Sequence, residues 1–142
     1  MALRYPIKVL VLDDDPVQIS VIEGFLKDDK DYDVVSFSEP KAALEFMNKE
    51  DVNIVLLDIH LESKMGDDVL REINKISKRI DTVIVSATKQ MTIFQACYRL
   101  GASGFLIKPI VKENLISELE KIRHNLVCWD DVFAEFMTNR KK

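Results

Sequence analysis

The stretch VNIVLLDIH, running from Val52 to His60, constrains this chain more than any other. Its apolar run after Asn53 ends in a single carboxylate, Asp58. A run that is apolar at every position, and short, reads as a strand buried on both faces of a parallel sheet. Helices then cover both faces, and ligands bind beyond the carboxyl ends of the strands. Asp58 therefore stands at the mouth of a prospective site, on a rigid support.

The pattern recurs. IKVLVLDDD (Ile7–Asp15) is a first strand ending in acids, and DYDVVSFS is a short second one. TVIVSA (Thr82–Ala87) is a fourth, and GFLIKP a fifth that ends at Lys108–Pro109. Helical spacing fills the gaps. Pro16 opens the first helix, where its missing N–H costs nothing, and Val17, Val21, Phe25 and either Ile22 or Leu26 form its expected inner stripe. Asp15 reads as an acid of that helix's first turn rather than a ligand. Ser38 is the expected N-cap of the second helix, with Pro40 in its first turn and Ala43, Leu44 and Met47 facing in. After a polar loop, HLESKMGDD, the third helix carries Asp67 and Asp68 at its start and Val69, Leu70, Ile73 and Ile76 inward. The fourth spans about Ile93 to Leu100 and stops at Gly101.

Five strands alternating with helices imply right-handed βαβ units and an α/β fold. The expected architecture is a five-stranded parallel sheet of order 2-1-3-4-5, doubly wound and flavodoxin-like. That order puts its switch point between strands 1 and 3, so Asp13, Asp14 and Asp58 converge.

Three acids at two strand ends are joined by a hydroxyl, Ser86, and an ammonium, Lys108, at two more. Carboxylates about 5 Å apart repel by roughly 3 kcal/mol per pair at an effective dielectric of 20, so the cluster calls for a cation. Oxygen donors without His or Cys favour a hard ion, Mg²⁺ or Mn²⁺. Lys108 suits a phosphoryl oxygen or the carboxylate itself, and Ser86 can donate to the same group. A carboxylate nucleophile, a hard cation, a lysine and a hydroxyl make a phosphoryl-transfer set with Asp58 as acceptor. Neither common glycine-rich phosphate loop is present.

From Ile7 to about Leu126 the sequence resembles the receiver domains of two-component response regulators. The likeness is carried by the acid pair in VLVLDDDP, the acceptor in LLDIH, Ser86–Ala87 in VIVSAT and Lys108–Pro109 in GFLIKP. The resemblance implies that Asp58 is the phosphoacceptor, Asp14 a direct metal ligand and Asp13 the holder of metal-bound water. It implies that the His60 carbonyl completes the protein ligands and that Lys108 bridges to the phosphoryl oxygen. Ser86 would be the switch hydroxyl and Phe105 the aromatic that turns inward behind it. The implied donor is a histidine kinase or a histidine phosphotransfer protein. Glu62 stands where the family often has Pro, and Val111 where it often has a capping side chain. The His60 side chain reads as a solvated surface group. Phe94, Tyr98 and Phe105 read either as core packing or as an exposed partner face.

Two rival functions come from other classes. A metal-dependent phosphatase with an aspartyl intermediate usually has a second acid two residues after the nucleophile, where this chain has His60. A receiver-like scaffold that takes no phosphoryl group would be expected to lack Asp58, Lys108 or the acid pair.

The 142 residues divide into an expected receiver domain, 1–127, and a helical extension, 128–142. A net charge of −4 gives no reason to expect direct nucleic-acid binding. No signal-peptide core or membrane-length apolar run occurs, so a cytoplasmic location without membrane contact is expected. Cys97 and Cys128 read as two buried-type thiols of a reducing compartment. From Leu115 onward, Leu115, Leu119, Ile122, Leu126, Trp129, Phe133 and Phe136 fall at alternating intervals of four and three, a heptad seam. No Gly or Pro follows Pro109, so the fifth helix is expected to run on past Leu126 and to make a protein contact there. That contact is either a parallel homodimer or a helix leading to an output domain. The competing expectation is a break near Asp130–Asp131, with Trp129, Phe133 and Phe136 folded back on the domain.

Overall fold

The computed structural model describes residue 3 and residues 5–61 and 65–140. Ten elements alternate along the chain: β1 (Ile7–Leu12), α1 (Pro16–Leu26), β2 (Tyr32–Phe37), α2 (Pro40–Lys49), β3 (Ile54–Asp58), α3 (Gly66–Asn74), β4 (Asp81–Ser86), α4 (Met91–Arg99), β5 (Gly104–Ile107) and α5 (Lys112–Arg140). The five strands are parallel, in the order β2-β1-β3-β4-β5. The expected sheet and its switch point are therefore present.

Alternation along each strand divides the core in two. Val9, Val11, Ile54, Leu56, Val83 and Val85 point to one face, where Ile22 and Leu26 of α1 and Leu115, Leu119 and Ile122 of α5 cover them. Leu10, Leu12, Val55, Leu57 and Ile84 point to the other, under Ala43 and Met47 of α2, Val69, Leu70 and Ile73 of α3 and Cys97 of α4. Both sets are buried, which is why the runs had to be apolar at every position.

Three local expectations need correction. Val17 and Val21 are exposed, and α1 turns Ile19, Ile22, Phe25 and Leu26 to the sheet. A helix with apolar residues on most sides has two candidate stripes, and packing against β1 and β2 selects one. Ser38 is not the N-cap of α2; Glu39 holds that position without a side-chain bond, and Pro40 at the first turn sets the backbone instead. Cys128 is exposed on α5, while Cys97 is buried. Asp15 stands one step earlier than a first-turn acid, as the N-cap of α1, while Gly101 ends α4 as expected. Asp15 caps α1 by accepting the Val17 N–H at 2.9 Å, and Gly101 takes φ +86° after α4.

The fifth helix is continuous for 29 residues. Trp129, Phe133 and Phe136 are 47%, 51% and 65% exposed, so the break and fold-back do not occur. The Asp130 carboxylate accepts the Leu3 N–H at 2.9 Å and ties the helix to the start of the chain where it leaves the domain. Among the described residues no helix is long and apolar enough to cross a membrane.

Candidate functional site

The carboxyl ends of β1 and β3 lie side by side, with Leu12 level with Leu57. The next residue on each strand is an acid, Asp13 and Asp58, and both are buried. Asp14 follows, half-buried, and one carboxylate oxygen from each of the three lies within 4.8 Å of the others. These acids are hard, all-oxygen donors brought together by the fold, and they fit a hard divalent cation.

Each buried acid is held by its local backbone. The Asp13 Oδ1 accepts the Asp15 N–H at 2.9 Å, and the Asp58 Oδ1 accepts the His60 N–H at 3.1 Å. Their second oxygens meet Lys108: its Nζ lies 3.2 Å from Asp13 Oδ2 and 3.4 Å from Asp58 Oδ2. The lysine is aimed from β4, because the Lys108 N–H donates to the Ser86 carbonyl at 2.8 Å. Burial pushes the Asp58 carboxyl above its ordinary range; the His60 N–H opposes this, the Asp13 charge adds to it, and Lys108 opposes it again. Burial alone would lower Lys108, but Asp58 and Asp13 outweigh it and hold the ammonium above its usual range. The resulting group is a buried, oriented carboxylate with one oxygen on a backbone N–H and the other beside a fixed cation.

Ser86 is fully buried at the end of β4, next to the Asp58 strand, where Asp58 is level with Val85. Its hydroxyl accepts the Thr88 N–H at 3.1 Å, which leaves its own proton to donate. The His60 side chain is exposed, as read from sequence. Phe94 is 43% and Tyr98 72% exposed; their rings stack at 6.5 Å, and Phe94 meets the half-buried Phe105 edge-on at 5.4 Å. Phe94 and Tyr98 thus lie at the surface, while Phe105 joins them to the core it packs against. Glu62 lies outside the described residues.

A sequence model of the response regulator receiver domain matches residues 9–120. The chain belongs to the receiver domains of two-component response regulators. This receiver is 32% identical over 108 residues to the two-component response regulator ORR11 of Oryza sativa subsp. indica, covering 74% of this chain and 73% of that protein. It is 25% identical over 118 residues to the transcriptional regulatory protein MalR of Bacillus subtilis (strain 168), covering 82% of this chain and 50% of that protein. The chain thus spans about half the length of such a relative. Its fold is that of the CheY-like response regulator receiver domain protein from Methanospirillum hungatei JF-1, with a TM-score of 0.75, 23% identity, and 84% and 93% of the two chains covered.

One residue that shapes the receiver's site is visible in the sequence only by its spacing, eight residues after Asp58. Gly66 opens α3 against β3, and its N–H donates to the Ile59 carbonyl at 2.8 Å. A Cβ there would lie 2.9 Å from the Asp58 carbonyl oxygen.

Proposed function

We propose that this receiver takes a phosphoryl group on Asp58 from the phosphohistidine of a histidine kinase or a histidine phosphotransfer protein. An oxygen of the Asp58 carboxylate attacks phosphorus. An O–P bond forms as the P–N bond breaks, and the electron pair passes to the donor imidazole, which takes up a proton. Lys108 meets the transferred group with its ammonium, and Ser86 turns its hydroxyl proton toward it. A Mg²⁺ (or Mn²⁺) ion would be held by Asp13, Asp14, Asp58 and the His60 carbonyl, and supplies charge neutralisation for the phosphoryl oxygens. The domain promotes only its own phosphorylation and dephosphorylation. Movement of Ser86 and Phe105 then alters the face of α4, β5 and α5 bearing Phe94 and Tyr98, and with it a partner or output domain.

The observation that carries this reading is the Lys108 ammonium set between the buried carboxylates of Asp13 and Asp58. No observation favours the phosphatase or the scaffold. Intact-mass measurement after incubation with acetyl phosphate and Mg²⁺ tests it. A transient single adduct, lost in Asp58→Asn and in excess chelator, is expected. Steady turnover of added phosphate esters indicates a phosphatase, and no adduct indicates a scaffold. Asp14→Ala is expected to weaken Mg²⁺ binding more than Asp13→Ala, since only Asp14 is assigned direct contact.

A further inference from the structure

We infer that the exposed end of α5 docks on the same segment of a second copy of this chain, the two helices running antiparallel. The inference deepens the reading of α5 as a contact surface and is independent of phosphorylation at Asp58, so the two can fail separately.

The seam on α5 is one line with two fates. Leu115, Leu119 and Ile122 are buried against the domain, and Leu126 is half-buried at its edge. Beyond it Trp129, Phe133 and Phe136 continue the line in the open, flanked by Val132 and Met137, which are 37% and 57% exposed. Every residue from 131 to 138 is exposed, so these turns pack on none of the described residues of their own chain. Trp129 and Phe133 already contact along the helix, with ring centroids 6.2 Å apart. A few helical turns with no packing partner are marginal in water, and a heptad seam is the pattern that packs helix against helix.

Three observations select the occupant and its direction. The first is steric. The apolar line of the extension lies on the face of α5 that covers the domain, so a parallel second helix, followed back toward its start, would run into the first copy's domain. An antiparallel helix instead fills the space beyond the domain edge and carries its own domain away to the far end. The second is charge. A parallel copy sets Asp130 and Asp131 beside the same acids of its partner, whereas an antiparallel copy moves the two acid pairs apart. The third is area. The five exposed apolar side chains offer on the order of 500 Å² per copy, or about 1,000 Å² across a symmetric pair, the lower end of specific interfaces. Two-fold pairing of one patch with itself needs no further partner.

Sedimentation equilibrium of the 142-residue chain over a concentration series is expected to show a monomer passing to a mass twice as large. Phe133→Glu combined with Phe136→Glu is expected to remain monomeric, with far-UV circular dichroism and melting showing the domain intact. A monomer at every concentration overturns the inference and leaves the seam to a different protein. A dimer that survives the double substitution also overturns it. Direction is read from spin-label distances between copies. One label sits on Cys128 of one copy and the other on Thr138→Cys, in a Cys128→Ser background, of its partner copy. That distance is expected to be shorter than the one between two Cys128 labels; the opposite order overturns the antiparallel arrangement.

Discussion

Gly66 lies so close to Ile59 that a methyl group on its α-carbon would sit 2.6 Å from the Ile59 Cα and 2.9 Å from the Ile59 Cδ1. No real Cβ tolerates such backbone contact, so the start of α3 and the residue after Asp58 can coexist only because position 66 has no side chain.

Gly66→Ala is therefore expected to cost about 1–3 kcal/mol, the usual range for overpacking, and to lower the melting temperature. Because the collision is with the backbone on either side of the acceptor, labelling by acetyl phosphate is expected to slow as well. An unchanged melting curve would show that the helix start gives way freely and that the contact matters little.

Asp58→Asn is expected to fold and, with divalent metal chelated, to melt above the parent at neutral pH. Burial raises the Asp58 pKa in the folded state, with the Asp13 charge adding to it, so the ionised carboxylate costs stability wherever it is fully charged. That cost falls away as the pH drops through the raised pKa toward the ordinary value of about 4. The gap between the two melting curves is expected to close in the same window. A variant that melts below the parent at neutral pH would mean that the attraction between Lys108 and Asp58 outweighs the burial.

Lys108→Ala is expected to bind Mg²⁺ more tightly while taking up phosphoryl groups more slowly. The ammonium lies against carboxylate oxygens of Asp13 and Asp58, two members of the acid cluster, so it competes with any cation there. A gain of about tenfold in affinity, or ~1.4 kcal/mol, is a reasonable scale. Calorimetric titration of both proteins with Mg²⁺ checks it, and weaker binding by the variant would remove Lys108 from competition.

The two thiols are expected to react at very different rates. Cys128 is exposed on α5, with its Sγ 3.8 Å from His124 Nε2. Cys97 is buried, and its thiol pKa is raised first by that burial and then by the Asp67 charge, which keeps it protonated. A chromogenic disulfide should titrate one thiol quickly in the native protein and the second only on unfolding. Loss of the fast thiol in Cys128→Ser identifies it; two fast thiols would place Cys97 within solvent reach.

The sequence by itself determined the sheet, its order and the position of every acid in the cluster. Short apolar runs each ending in polar residues admit few other folds, and parallel strands put those ends on one edge. It also determined that α5 continues, since nothing after Pro109 breaks a helix and the seam keeps its period. Only the tertiary structure decided which face of α1 is inside, because Val17 and Val21 match a helical stripe as well as Ile22 and Leu26 do. It alone decided that Trp129, Phe133 and Phe136 stand in solvent while Leu115, Leu119 and Ile122 on the same seam are buried. Burial along α5 stops near Leu126, a matter of volume that periodicity does not carry. The pairing of Lys108 with both Asp13 and Asp58, and the close approach of Gly66 to Ile59, depend on how loops from separate strands meet. Those meetings are set by packing across the sheet, and no spacing within one segment encodes them.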